Sequence, residues 1–418
     1  MPARPLPRTP SRPLVRRRPV TRPLVRRAVV AALATASLAG LMTGPARAGG
    51  SGGGEGGDGG PVDRELQRRL QAFVDTPGGP PGAIAVLTTG RHSEVYRAGT
   101  AEVGTGRPPR TTDHMRIASV AKAFSGAVAL HLADRGRISL DDTLGRWLPR
   151  LPAAWHRVTV AQLLDHTSGL PDYTESPTFI AEFAADPRRR FDSRTLLRYV
   201  VGEPLRFRPG SAYRYSNSDN IAVALIAEAA TGTRYEQLLD EIVYRPLGLR
   251  ATSLPQGYRL PRPYLHGYAV DPPNPPEDLS TAISASGVWA SGGIVSTPGD
   301  LGAFIRAWAG GRGLGPAVRH RQLTFVAGSS EPAGPGRNEA GLGLFAYRTR
   351  CGTVYGHTGN FPGYTQLAAA TEDGRRSLTV SLTSQVNSVT NPRLLAALRV
   401  LQEDFVCRLL KRPKPHGA

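Results

Sequence analysis

Strand-like segments stand near both ends of the globular part of this chain, and this arrangement restricts the possible folds more than any other feature. Residues 83–89 (AIAVLTT) and 93–99 (SEVYRAG) flank a turn at 90–92, which predicts a β-hairpin. The stretch from about 118 to 340 has a mostly helical pattern instead, interrupted by loops rich in Gly and Pro. Three more strand-like runs follow it, namely TVYGHTG, QLAAATE and SLTVSLTS. The sequence therefore predicts an α/β protein of the α+β type, with one sheet built from the N- and C-terminal segments and a mostly helical region inserted between them.

Composition divides the chain into four parts. Residues 1–48 contain ten arginines and no acidic residue, with an apolar run and an Ala-Arg-Ala cleavage site at their end, which predicts an export signal peptide. The apolar run of about 15 residues is shorter than the roughly 20 that span a bilayer. A membrane anchor is therefore the weaker alternative, and twin-arginine export is a second possible route. Residues 49–60 are a Gly-rich linker, residues 61–410 form the globular domain, and residues 411–418 form a basic tail.

The charge of the chain argues against a nucleic-acid partner. The net charge is +19, and removal of residues 1–48 with their ten arginines would lower it to +9. No run of basic residues outside this segment forms a footprint for nucleic acid. A secreted, extracytoplasmic protein of this charge is suited to the anionic cell wall, although solubility alone is the simpler explanation of the charge.

The cysteines and histidines indicate a disulfide and no metal. Cys351 and Cys407 are the only cysteines, so an oxidising compartment would join them in one disulfide. Two free buried thiols are the alternative. The nine histidines are scattered and form no close cluster with Cys or Asp, so we expect neither a metal site nor another cofactor.

Lys122 is unusual because this chain otherwise avoids lysine. Only Lys122, Lys411 and Lys414 occur among the 52 basic residues, and the other two lie in the last eight positions. Arg stays protonated in proteins, whereas a buried Lys can become neutral. Lys122 follows Ser119 by three residues at the start of an apolar helical pattern, so both side chains share one helix face. The spacing predicts a serine nucleophile with a lysine base, against the simpler reading of a capping Ser and a solvated Lys.

A second polar motif, Tyr-Ser-Asn at 215–217, precedes another helical segment. A phenol and a carboxamide two residues apart can face one cleft, where Tyr215 would relay a proton and Asn217 would donate to a substrate carbonyl. Ser-Asp-Asn at 218–220 is a competing motif, because S-D-N accompanies S-x-x-K in some penicillin-recognising enzymes. We interpret these residues as helix caps instead.

A third motif, His-Thr-Gly at 357–359, lies on one of the strand-like runs. Small residues on a strand allow an extended substrate to approach the backbone. The motif alone has little meaning, since a turn with a hydrogen-bonded His has the same letters.

The three motifs together resemble those of the serine β-lactamase and penicillin-binding protein family, most of all its D-alanyl-D-alanine carboxypeptidase branch. Tyr215 follows Ser119 by 96 residues and His357 follows it by 238. The resemblance includes the stretches LLDHTSGLPDY, RPLGLRATS and GVWASGGIVSTPGDL, and it extends from about residue 80 to 408. It implies a serine β-lactamase-like fold with an antiparallel sheet.

The resemblance also implies a role for each motif residue. Ser119 would be the acylated nucleophile, Lys122 its base and Tyr215 the relay to the leaving amine. The backbone N–H groups of Ser119 and Asn360 would form the oxyanion hole. The implied substrate-binding residues are Asn217 for the amide, Thr358 for a carboxylate, Trp289 as an aromatic wall, and His357, Gly359 and Asn360.

The resulting expectation is a secreted D-alanyl-D-alanine carboxypeptidase that acts on peptidoglycan stem peptides and is acylated by β-lactams. Asn360 stands where the family often has a hydroxyl residue, and Pro362 stands where it often has a further polar group, which affects carboxylate recognition and the expected substrate. A family esterase or β-lactamase is one alternative, although no deacylating E-x-x-L-N motif is evident. A catalytically silent cell-wall or β-lactam-sensing module is another. The absence of G-x-S-x-G argues against an α/β-hydrolase.

Overall fold

The structure is a computed structural model that describes residues 63–411. The predicted signal peptide (1–48) and linker (49–60) lie outside the described residues. So does the predicted basic tail, apart from its first residue, Lys411.

An antiparallel sheet of eight strands forms the centre of the described part of the chain. Its strands are β1 (Gly82–Thr89), β2 (His92–Gly99), β7 (Val326–Ala327), β8 (Arg337–Gly341), β9 (Leu344–Thr349), β10 (Gly352–Phe361), β11 (Tyr364–Ala370) and β12 (Arg376–Leu382). Their spatial order is β2-β1-β12-β11-β10-β9-β8-β7. Two small ribbons lie outside this sheet, formed by β3 (Met115–Arg116) with β6 (Val295–Ser296) and by β4 (Tyr268–Ala269) with β5 (Glu277–Asp278).

The two ends of the domain meet in the middle of this sheet. Strand β1 pairs antiparallel with β12, and Ala83 lies opposite Leu382 while Thr89 lies opposite Arg376. The predicted sheet built from both terminal regions is therefore confirmed. The prediction that the helical region continues to about residue 340 is wrong, because β7, β8 and β9 occupy residues 326–349. Their sequences are short, and β9 begins with four consecutive buried residues that lack the alternation typical of a half-exposed strand.

Helices cover both faces of the sheet. The α-helices are α1 (Arg64–Val74), α2 (Ala121–Asp134), α3 (Leu144–Trp147), α4 (Val160–Leu164), α5 (Pro177–Ala185), α6 (Asn217–Thr231), α7 (Tyr235–Leu239), α8 (Arg245–Leu247), α9 (Trp289–Gly292), α10 (Pro298–Ala309), α11 (Pro316–Gln322) and α12 (Pro392–Leu410). None of the helices within residues 63–411 is sufficiently long and apolar to span a membrane.

Two hydrophobic cores lie on opposite faces of the sheet. Along β1, Ile84 and Val86 belong to the core shared with the inserted helices. Ala83, Ala85 and Leu87 belong to the core shared with α1 and α12. Successive side chains of a strand point to opposite faces, so a strand covered on both faces has a continuous apolar sequence. This explains the unbroken run AIAVL, and it places the inserted helices and their polar motifs over one face.

A disulfide joins Cys351, in the turn between β9 and β10, to Cys407 in α12, with a Cα–Cα distance of 5.1 Å. The cysteines are therefore not free thiols. The bond ties the start of β10, the strand that carries His-Thr-Gly, to the last helix of the domain.

Candidate active site

Ser119 lies on a tight turn at the start of α2. Residues Ala118–Val120 form a 3₁₀ turn that continues directly into the α-helix. Ala118 has a φ of 51°, a strained value for a residue with a Cβ. The neighbouring residues of the turn are buried, whereas Ser119 is partly exposed. The turn therefore presents the Ser119 hydroxyl to the cleft.

Strand β10 passes very close to this turn. A Cβ atom on Gly359 would lie 2.5 Å from the carbonyl oxygen of Ile117 and 3.1 Å from the backbone nitrogen of Ser119. Only glycine permits this approach. Strand β10 pairs with β9 as far as Gly356 but with β11 as far as Phe361. Residues 357–361 thus pair with β11 along one edge, and the Ser119 turn lies against the face of the strand at Gly359. Beyond Gly356 the other edge has no pairing with β9, so an extended substrate can lie there.

Lys122 is buried one helical turn after Ser119. Its Nζ lies 3.1 Å from Ser119 Oγ, 2.7 Å from Asn217 Oδ1 and 2.8 Å from the carbonyl oxygen of Ser291. Burial lowers the pKa of the Lys122 ammonium from 10.5 to about 7, and the nearby carboxylates only partly oppose this effect. A substantial fraction of Lys122 is therefore neutral near pH 7.

The three contacts of Lys122 match the neutral amine. The oxygens of Asn217 and Ser291 can only accept, so they take the two N–H bonds of an uncharged amine. The lone pair then remains for the third direction, toward Ser119 Oγ. In this arrangement Lys122 can accept the hydroxyl proton of Ser119.

Asn217 differs from its expected role. Its Oδ1 accepts from Lys122, while its Nδ2 lies 2.9 Å from Asp172 Oδ2 and 3.3 Å from Thr174 Oγ1. Both ends of the carboxamide are occupied within the protein, so the expected donor toward a substrate carbonyl is not available in this structure. Asn217 instead orients Lys122, and Asp172 orients Asn217.

Tyr215 lies against Lys122 with its hydroxyl unpaired. Lys122 Nζ is 4.8 Å from the centre of the Tyr215 ring, and the side chain is 5% exposed. Burial raises the pKa of the phenol well above 10, and the adjacent Ser119 hydroxyl offsets this only in part. The Tyr215 oxygen forms no hydrogen bond within geometric limits among the described residues. A neutral buried phenol without a partner is suited to donate a proton to a group that enters the cleft.

The neighbouring Ser218 and Asp219 do not cap α6 as expected. Ser218 Oγ donates to the carbonyl of Pro171 and accepts from the backbone N–H of Tyr173. Asp219 binds the side chains of His166 and Ser168 at 2.7 and 2.5 Å. Both residues lie inside the first turn of the helix and hold the 166–173 loop. They thereby keep Asp172 next to Asn217, a function that the motif S-D-N alone does not reveal.

The His-Thr-Gly motif offers less to a ligand than its sequence suggested. His357 is buried, its Nδ1 donates to the carbonyl of Thr358 over 2.6 Å, and burial lowers its pKa to about 3. The imidazole is therefore neutral. Thr358 is also buried, and its Oγ1 donates to the carbonyl of Pro332 over 2.6 Å. The expected contact of Thr358 with a substrate carboxylate is not available while this bond exists.

Two other expected binding residues lie differently from the prediction. Trp289 is fully buried, and its Nε1 donates to Glu236 over 3.0 Å, so it forms no wall of the cleft. An indole that buries its ring commonly gives its N–H to a buried acceptor in this way. The Asn360 side chain donates to the carbonyl of Val386 and faces away from Ser119. Its backbone N–H stays the proposed oxyanion donor together with that of Ser119.

Sequence reasoning missed two acidic residues of this site. Asp172 belongs to the stretch LLDHTSGLPDY, whose resemblance was noted without a role for this residue. Glu331 precedes the proline that binds Thr358, and no sequence pattern distinguishes it. Within residues 63–411, no group of three or more His, Cys, Asp or Glu side chains could hold a metal ion.

The chain is similar to several known proteins. The family model described as Beta-lactamase matches residues 66–402. Penicillin-binding protein 4* of Bacillus subtilis (strain 168) is 26% identical over 293 residues, which cover 67% of this chain and 63% of the relative. The D-alanyl-D-alanine-carboxypeptidase/endopeptidase AmpH of Escherichia coli (strain K12) is 30% identical over 234 residues, which cover 54% of this chain and 57% of the relative. The chain thus spans less than two thirds of either curated relative.

A solved structure matches over nearly its whole length. The D-stereospecific amidohydrolase from Streptomyces sp. is 30% identical to this chain with a TM-score of 0.69. The alignment covers 81% of this chain and 98% of the amidohydrolase.

Proposed function

The chain belongs to the Beta-lactamase family of hydrolases, and from this we propose that it cleaves an amide or peptide bond next to a D-amino acid through an acyl-Ser119 intermediate. The observation that carries the proposal is the position of Lys122, whose Nζ lies 3.1 Å from Ser119 Oγ while two further oxygens, of Asn217 and Ser291, can accept its N–H bonds. The names of the amidohydrolase and of AmpH support D-amino-acid substrates.

Acylation would use each polar group of the cluster once. Lys122 takes the proton of the Ser119 hydroxyl, and the oxygen attacks the substrate carbonyl carbon. Backbone N–H groups at the helix start and on β10 would stabilise the oxyanion. Tyr215 gives its proton to the leaving amine as the C–N bond breaks, and the proton on Lys122 then returns to Tyr215.

Deacylation would reverse the proton path with water as the nucleophile. Lys122, which is neutral again after acylation, takes a proton from water, and the hydroxide attacks the ester carbonyl. The ester bond breaks, Ser119 regains its proton, and the product leaves as an acid. The two half-reactions balance without a cofactor.

The D-alanyl-D-alanine carboxypeptidase expected from the motifs is one activity of this class, and the name of AmpH favours it as the second candidate. This activity requires a place for a terminal carboxylate, whereas hydrolysis of a D-aminoacyl amide does not. An esterase or a β-lactamase would use the same acyl-enzyme. A silent binding module would retain the fold without acylation.

Labelling with a fluorescent penicillin tests the acyl-enzyme directly. We expect one label per chain, located at Ser119 by peptide mapping and lost in Ser119→Ala. Hydrolysis of a D-alanyl peptide and of a D-alanine amide would be measured on the same preparation. A label on another residue, or its complete absence with a reactive penicillin, would contradict the proposal.

We also propose that the protein is exported and acts at the cell wall. The arginine-rich, apolar segment 1–48 and the net charge of +9 on the remainder support this location. N-terminal sequencing of the protein from the native cells should find a chain that begins near residue 49. A full-length chain in the cytosol would refute export.

A further inference from the structure

The loop of residues 329–336 lies on the strand side of the cleft and is bonded to residues at the second and third motifs. We call it the active-site strap. At its beginning, Tyr213 Oη donates to the carbonyl of Ser329 over 2.6 Å. Three residues later, Thr358 Oγ1 donates to the carbonyl of Pro332 over 2.6 Å. Tyr213 precedes the Tyr-Ser-Asn motif and Thr358 belongs to the His-Thr-Gly motif, so the strap connects the two sides of the site.

The strap is fixed along its length. Tyr347 Oη donates to Ser330 Oγ over 3.1 Å, and the Asn338 side chain accepts from the backbone N–H of Gly334 over 2.8 Å. Arg399 of α12 donates to the carbonyls of Gly334 and Gly336. These bonds hold the strap in one position next to the site, whereas a loop without such hydrogen bonds would be mobile.

Glu331 lies between the two attachment points of the strap. Its side chain forms no hydrogen bond or ion pair among residues 63–411, although it is partly buried. Burial and the negative charge of Asp172 raise the pKa of its carboxyl to about 8, while Lys122 opposes this shift. The negative charge of the same carboxyl raises the pKa of both Lys122 and Tyr215, so Glu331 lies in the neighbourhood of the reacting groups.

No cation among residues 63–411 forms an ion pair with Glu331. Arg214, whose charge lowers the pKa of Glu331, is paired with Glu175 at 3.0 Å. Lys122 is directed at Ser119 and Asn217. The ionised form of a partly buried carboxyl without a cationic partner is unfavourable, which is why the pKa of Glu331 is raised. A ligand that brings a positive charge would favour this ionised form.

We propose that the strap makes this site selective for substrates with a free ammonium group close to the scissile bond, with Glu331 as the group that receives the ammonium. The inference rests on the proposed acyl-enzyme function and narrows its substrate class. The Thr358 hydroxyl donates its hydrogen bond to the Pro332 carbonyl, so it is not available to a substrate carboxylate. Glu331 also offers no positive charge to such a carboxylate. A D-aminoacyl amide with an unmodified amino group fits both features.

Paired substrates test this selectivity without any variant. D-Alanine p-nitroanilide has the ammonium charge, its N-acetyl derivative replaces that charge by a neutral acetamide, and an N-succinyl derivative places a carboxylate there. We expect the p-nitroaniline release rate, as kcat/KM or as the burst rate if turnover is slow, to be at least about 30-fold higher for the free amine, the lower end for a desolvated charge pair. A ratio within about 3-fold for the free and acetylated amines would overturn the inference.

The variant Glu331→Gln tests whether Glu331 causes the preference for the free amine. It should lower the rate with the free amine by about 30-fold and leave the rate with the N-acetyl compound within about 3-fold. Since the acetylated substrate reports on an intact acylation site, it serves as the folding control. The matched variant Glu372→Gln, at an exposed position, should change neither rate. An unchanged preference in Glu331→Gln would exclude Glu331 as the recognition group.

Failure of the inference and failure of the proposed function give different results. If a penicillin labels Ser119 but the free amine has no advantage, the acyl-enzyme stands and the ammonium selectivity is refuted. If neither penicillin nor any anilide acylates Ser119, both are refuted together.

Discussion

The two sides of the cleft differ in how their polar groups are used. On the helical side, the Lys122 amine is bonded to Asn217 and to the carbonyl of Ser291. Its one remaining direction points toward Ser119. On the strand side, the Thr358 hydroxyl is covered by the strap, and Glu331 next to it has no partner. The helical side is thus complete as a reaction centre before a substrate arrives, whereas the strand side is complete only with a ligand of suitable charge. This difference separates acyl transfer from substrate selection within one site.

The largest loss of acylation rate should come from replacing Lys122, the proposed base on the helical side, by a residue that always carries a positive charge. In Lys122→Arg the guanidinium stays protonated and cannot accept the Ser119 proton. We expect penicillin acylation to fall by at least about 10²-fold. Acylation rates would be compared on variants whose folding is verified by circular dichroism and melting. The same exchange in Lys411→Arg, outside the site, should have no effect, and activity of Lys122→Arg within a few-fold of the parent would remove Lys122 as the base.

Tyr215→Phe tests the proton donor of the same side. Removal of the unpaired hydroxyl should lower the acylation rate by about 10²-fold with little change in melting temperature, because the buried oxygen has no partner to lose. Tyr244 provides a matched control, since it is also buried with an unpaired hydroxyl but lies outside the cleft. Equal rates for Tyr215→Phe and Tyr244→Phe would mean that the Tyr215 hydroxyl is not used.

Asn217 should act through Lys122, which makes its effect smaller. We expect Asn217→Ala to slow acylation by about 10-fold, since one acceptor that orients the amine is lost. Asn217→Asp distinguishes positioning from simple destabilisation, because the added negative charge should raise the pKa of Lys122 and move the rise in rate to higher pH. Asn220→Ala changes the same residue type one turn later, where the Asn220 side chain donates to Ser125 Oγ and not to the Lys122 amine, so this variant should leave the pH profile in place. A profile that is identical in Asn217→Asp would contradict the positioning role.

The smallest effect is expected on the strand side. Thr358→Val removes the bond to the Pro332 carbonyl, which should cost about 1 kcal/mol of stability and change acylation by a free-amine substrate less than about 3-fold. Denaturant unfolding and the anilide assay measure the two effects. A loss of about 10²-fold in rate would show that Thr358 contacts the substrate, and the contrast between the two sides would then be wrong.

The helical side was largely predictable from the sequence, because its chemistry is local. The scarcity of lysine and the spacing from Ser119 to Lys122 identify the pair without a structure. The fold was predictable for a similar reason, since the hairpin and the three last strands have strong apolar runs. The short strands β7 to β9 have no comparable apolar runs, so the sequence pattern alone does not show that the helical region ends before them.

The errors concern the direction of side chains, which residue type alone does not determine. Asn217 and Trp289 were expected to face a substrate, but acidic partners within the protein hold them: Asp172 for the first and Glu236 for the second. The sequence does not reveal the position of Glu331 at the site. Two hydrogen bonds of neighbouring strap residues, Ser329 with Tyr213 and Pro332 with Thr358, hold Glu331 there, and both join residues far apart in sequence. Contacts over such separations depend on the complete fold.

The pH dependence of Ser119 acylation tests the central claim most directly, namely that a neutral Lys122 is the base. Burial lowers the pKa of Lys122 to about 7, and the basic form exists above the pKa. The second-order rate constant for acylation by an uncharged ester or a penicillin of constant charge should therefore rise with pH and level off above about 8, with a midpoint close to 7. This rise should disappear in Lys122→Arg and persist in Lys411→Arg. A rate that is flat from about pH 5 to 9, or a midpoint near the ordinary lysine value of 10.5, would contradict the account.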